Sequence, residues 1–282
     1  MTSSIATEPA PGGPVNTSRP PAELKVTQLR VLHSEWVKFR SLRSTTLSVS
    51  ATIVGMIGLG WVFAAVDANR WPVMRAGAKA RFDPTAVSLE GFFVAQLVVG
   101  VLGALIVSGE YGTGMIRASL SAAPTRLPVL WAKAIVFAAV TFVVTTVSAF
   151  IAFLGGQAFL SSQHIETTLG APGVLRAVVG TGLYLTVVGL LGVAFGWIVR
   201  HTAGAIAALF GLLLVLPALG DALPDSWAPH INPYLPGNAG QQVLMVRHEA
   251  GMLSPWAGFA VFCGYLVVGI VAAAILLKRR DA

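Results

Sequence analysis

The chain has 282 residues, 55% of them hydrophobic and only 11% charged, with a formal net charge of +7 and a mean hydropathy of +0.75. A soluble domain carries about 25% charged residues, so a single globule in water is excluded and lipid is the solvent for most of the surface. The lone cysteine, Cys263, excludes an internal disulfide and any multi-cysteine metal site.

Residues 1–22 are rich in Pro, Ser, Thr and Gly and lack an apolar stretch, so they read as a disordered tail and not as a signal peptide. Residues 24–43 change character. Val26, Leu29, Leu32, Trp36 and Phe39 recur at steps of three and four, among Lys25, Arg30, Lys38, Arg40 and Arg43. That stripe is too short and too charged to span, and it predicts an amphipathic helix lying in the headgroup plane.

Six apolar stretches follow, near 45–66, 86–108, 132–156, 175–199, 203–219 and 255–277. Each approaches the roughly 20 residues that cross about 30 Å of hydrocarbon as a helix. None alternates as a barrel strand does. The fold class is therefore an all-α membrane protein: six transmembrane helices over 45–277 behind an interfacial helix, with a short tail at 278–282. The fifth is short and has Pro217 near its open outer limit, and the proline-rich segment 220–254 reads as short helices capping the bundle or dipping into one leaflet.

Orientation comes from the cations. With the N-terminus inside, thirteen of the nineteen Lys and Arg fall on the inner side and six on the outer. This predicts both termini in the cytoplasm. Clustering beside apolar runs also argues against nucleic acid as the partner. Arg outnumbers Lys 14 to 5, a usage that points to a GC-rich bacterial genome and so to a bacterial plasma membrane.

Catalytic patterns are missing. No G-x-x-x-x-G-K-[ST] cradles phosphate, and no H-E-x-x-H holds zinc. The five histidines are scattered, and Asp221 and Asp225 lie in a proline-rich loop. No acidic residue falls at a predicted midplane, and Glu90, Lys133 and Arg176 are expected near helix ends, which counts against a proton-coupled carrier. Small residues recur instead: Gly192 with Gly196, and Ala207 with Gly211, are spaced for close helix packing.

Two polar stretches stand out, RVLHSEWVKFRSLRST (30–45) and EYGTGMIRASLSAAPTRLPVLWAK (110–133). Together they resemble the permease subunits of ABC-2 type transporters, particularly the actinobacterial kind. The first matches an S-E-W-x-K-like core at Ser34, Glu35, Trp36 and Lys38. The second matches at Glu110 and Tyr111, then Pro124, Arg126 and Lys133. Gly112-Thr113-Gly114 departs from the commonest Gly/Thr placement.

The resemblance implies a membrane subunit, an exporter by family habit, working beside two copies of a separate ATPase and a second permease copy or related permease. No cofactor binds this chain; ATP and Mg2+ belong to the ATPase. Segment 109–128 becomes the coupling segment, with Glu110, Tyr111, Met115, Ile116, Arg117, Leu120, Pro124 and Arg126 as its interface. Glu35, Trp36, Lys38, Phe39 and Arg40 become the working residues of the interfacial helix. Glu110 and Arg117, two helical turns apart, would offer opposite charges on one face, and Pro124 would stop the helix. The alternatives are an ordinary loop whose arginines enforce topology and, for the whole chain, an ATPase-independent carrier or channel, or a non-transporting anchor or sensor.

Overall fold

The computed structural model describes residues 28–115, 127–248 and 250–279. Among the described residues there is no strand. Six helices are long and apolar enough to cross a membrane: Arg43–Val73, Pro84–Gly112, Leu127–Gln163, Val174–Val199, Thr202–Gly220 and Pro255–Arg279. They run alternately up and down, and the N-terminal helix, Gln28–Ser41, lies at the end where the first span begins. Most spans exceed the expected stretches, because apolarity marks the slab and not the polar turns that continue a helix beyond it. The third is the extreme case. Its α-helix Leu127–Leu160 has 34 residues, about 51 Å at 1.5 Å per residue, against about 30 Å of hydrocarbon.

Span four is the most buried of the six and forms the axis, packing on spans two, three and six. Its contact with span two depends on absent side chains. A Cβ on Gly192 would stand 2.5 Å from the carbonyl oxygen of Gly100, and one on Gly196 would stand 2.9 Å from Cβ of Val107. Gly103 faces the backbone of Gly189. Ala207 and Gly211 behave differently. Ala207 is exposed, and a Cβ on Gly211 would meet nothing. The same four-residue spacing thus packs in one span and faces outward in another, since spacing does not say which side a neighbour occupies.

Two spans are broken. Span two starts at Pro84 under an Asp83 cap, whose carboxylate accepts from the amides of Thr85 (2.9 Å) and Ala86 (3.2 Å). It is interrupted at Glu90 and Gly91, where the backbone lies against the carbonyls of Gly55 and Met56 and leaves no room for a side chain. Span five passes Pro217 and ends at Gly220, one residue beyond the expected stretch 203–219. The i−4 bond that Pro217 cannot donate, and the clash its ring would make, are absorbed by a wide turn at Gly211–Val215.

Segment 220–254 contains helices Ala228–Ile231 and Pro236–Gln241 joined by the 3-10 turn Asn232–Tyr234. The second packs on span six, with Gly240 against the rings of Phe262 and Tyr184. The carbonyls just beyond its C-terminus accept from Arg176, which donates to Met245 (2.9 Å), Val243 (3.2 Å) and Gln242 (3.4 Å). A guanidinium is well suited to this, because it carries several donors in a fixed fork.

Candidate functional site: a neutral ion cluster at the N-terminal end of the bundle

The N-terminal helix folds as its 3.6-residue period requires, but the face it buries is not the expected one. Val31, Glu35 and Phe39 are buried, while Leu29 is open and Trp36 is 46% exposed. Phe39 meets the edge of Phe137 at 6.4 Å. The helix packs mainly against span three and only lightly on span one, from which it is separated by an extended residue, Leu42. Glu35 therefore sits on the inner side of a helix whose outer side carries Trp36, Val37 and Arg40, all exposed. Arg40 and Trp36 are exposed, whereas Glu35 is buried.

Three elements converge on that carboxylate. Lys133 of span three donates to Glu35 at 2.6 Å and to Glu110 of span two at 2.8 Å. Lys38 donates to Glu35 at 2.8 Å and lies 3.5 Å from Glu110. Glu35, Glu110 and Lys133 are only 5%, 7% and 3% exposed, whereas Lys38 is half-buried at the rim. Among the described residues, two carboxylates and two ammonium groups sum to zero. That neutrality makes the burial tolerable, because an unpaired charge in this position costs several kcal/mol, of order 3–5 when a partner is removed.

Burial pushes the Glu35 carboxyl up, but the charges and hydrogen bonds of Lys133 and then Lys38 outweigh it and hold the group below its ordinary value. Burial likewise pushes Lys38 down, and Glu35 and Glu110 more than reverse this. Both groups are thus held charged through neutral pH.

Lys133 stands near a helix end, in the second turn of a helix that starts at Leu127, and the cluster corrects one expectation. Glu110 was expected to face a partner together with Arg117; it points inward and is consumed by Lys133 and Lys38. The physical reason is that the helix of span two continues to Gly112, so Glu110 stays on the same packed face as Val107.

Tyr111 stands edge-on to Trp197 at 6.0 Å, with the Arg200 guanidinium 5.1 Å from its ring. Arg200 occupies the turn between spans four and five in a left-handed conformation, φ 59°. There, Ser108 and Thr202 share a hydroxyl–hydroxyl bond of 2.9 Å, tying span two to span five. Met115 is exposed. Ile116, Arg117, Leu120, Pro124 and Arg126 lie outside the described residues. The described parts of the cluster thus bring together residues from 30–45 and 110–133 that the sequence keeps about 75 positions apart. Nothing local in the sequence gives Lys133 a partner. Pairing Glu35, Glu110 and Lys133 by charge was the available signal.

Among the described residues no group of three or more His, Cys, Asp and Glu is placed to hold a metal ion. The family described as ABC-2 family transporter protein matches residues 83–282. Among curated proteins no sequence matches.

Proposed function

The chain belongs to the ABC-2 family of transporter proteins and is a membrane-spanning subunit of an ABC transporter, and we propose that it is a permease driven by a separate ATPase through segment 109–128 and the N-terminal helix. The observation that carries this reading is the ion cluster. It bolts the N-terminal helix to the last turn of span two and the early turns of span three, on both sides of the connection between them. A push on the helix reaches both spans through these ion pairs.

In this reading the ATP and Mg2+ sit on the partner, two copies of which close on nucleotide and open after hydrolysis. Nucleotide shifts the permease only if the closed and open ATPase fit its two arrangements differently. A second permease copy, or a related chain, completes the pathway. Both termini face the cytoplasm of a bacterial cell, as the cation distribution supports, and transport runs outward. The apolar spans favour a hydrophobic or amphipathic substrate.

Co-purification with the candidate P-loop ATPase, followed by transport in proteoliposomes, tests this. The wild type should retain the ATPase, and Arg117→Ala with Arg126→Ala should lower retention by about tenfold, the factor that goes with 1.4 kcal/mol. Glu35→Gln should keep the ATPase but lose most ATP-driven transport. ATP-driven transport by Glu35→Gln at the wild-type rate overturns the transmission role. Transport by the permease alone overturns the dependence on an ATPase.

A further inference from the structure

Spans three and six both pack on span four and hardly touch each other. Between them runs a groove of about 350 Å³ with no polar lining. Its floor is small: Ala134, Ala138 and Ala274, over Leu190 of span four. Its rim is large. Trp131, Val267 and Val271 line it and are all about half exposed.

This relief selects against a second helix. Close helix packing in a bilayer needs small residues where the backbones approach, and here the outermost surface is indole and β-branched. A chain narrower than a helix fits between the rims and reaches the alanines.

Depth and charge identify the chain. The groove extends from Leu266 to Ala274 along span six, about 12 Å at 1.5 Å per residue. Lys278 follows one turn after Ala274 and two after Val271, so it stands over the groove's end, about 6 Å above it. It is exposed and makes no ion pair among the described residues. Half of the hydrocarbon is about 15 Å thick, so the groove lies at acyl-chain depth and Lys278 at headgroup depth of one leaflet. Trp131, at the same end, belongs to the interfacial belt where indoles concentrate.

We propose that this groove binds an anionic glycerophospholipid, one acyl chain between spans three and six and the headgroup phosphate at Lys278. A zwitterionic lipid fills the slot but offers the lysine no net charge.

Native mass spectrometry of the full, delipidated chain, titrated with phosphatidylglycerol or phosphatidylcholine of matched chains, reads the site directly. The wild type should prefer phosphatidylglycerol about fivefold, the factor equivalent to about 1 kcal/mol per basic residue at an anionic surface. Lys278→Gln should abolish the preference and keep chain binding. Ala274→Phe and the milder Ala138→Leu should lower retention of both lipids, while Ala207→Phe, on an outward face elsewhere, should not. Each variant is compared only at an unchanged melting temperature. An undiminished preference in Lys278→Gln, or undiminished lipid in both filled variants, overturns the proposal. So does a filled variant that changes oligomeric state with lipid retention intact, which assigns the groove to a second copy.

Discussion

Along span two the chain uses two kinds of contact within three turns. From Gly100 to Val107 it meets span four through the absence of side chains, with Gly192 and Gly196 laid against its backbone. One turn further, at Glu110, it meets the N-terminal helix and span three through full charges. The first contact rests on short-range dispersion, tolerates no added atom and has a single arrangement. The second depends on which opposite charges stand within reach, and the same carboxylate can be satisfied by more than one ammonium. A stiff axis and a re-pairable end on one helix suit a subunit that must receive force at one end and tilt as a unit.

Breaking the stiff contact should have the largest effect. Gly192→Leu places carbon atoms on the backbone of Gly100 and Ala104, neither of which can give way. A loss of roughly 3 kcal/mol or more is expected, read as a lowered melting temperature and loss of monodisperse protein in detergent. Removing Lys133 comes next. Lys133→Met leaves two buried carboxylates with one rim cation, at a cost of about 3–5 kcal/mol. It should appear as faster hydrogen exchange over residues 28–41, with the span two to span four contact unaffected. Lys38→Met should cost clearly less, because Lys38 is partly exposed to solvent that already screens it. Equal effects of the two lysines would show that the cluster is not organised around Lys133.

Acid should loosen the cluster without touching the glycine contact. Because the folded Glu35 value is lowered, its contribution is complete above the ordinary value of 4.5. It is lost as pH falls below that through the folded value. The raised Lys38 contributes fully below 10.5 and loses its part only as pH rises beyond it. Protease accessibility of residues 28–41 should therefore be flat between those limits and increase below pH 4.5. The smallest effect belongs to Gly211→Ala. The added methyl meets open space, so stability should change by less than about 0.5 kcal/mol; a large loss would mean that a partner covers this face of span five.

The number of spans was readable because hydropathy is summed over about 20 residues and survives local exceptions. Boundaries were less so. Span three was expected over 132–156 but runs over Leu127–Gln163, because polar turns continue a helix that hydropathy does not mark. The site was half legible. Glu35, Lys38, Glu110 and Lys133 all lie in the two stretches that carry the family resemblance, yet Glu110 was expected to face outward because charge alone suggests solvent or a partner. Its burial depends on a lysine 23 positions later and a glutamate 75 positions earlier.

Composition, apolar run length and cation placement by themselves determined an all-helical membrane chain of six spans with a basic amphipathic helix ahead of them, because transfer of apolar surface into lipid is a sum over local residues. Which glycines pack, which face of the N-terminal helix turns inward, and which charges neutralise one another were decided only by the tertiary structure. Those outcomes depend on what stands within a few ångströms across the bundle, and no local sum contains that information.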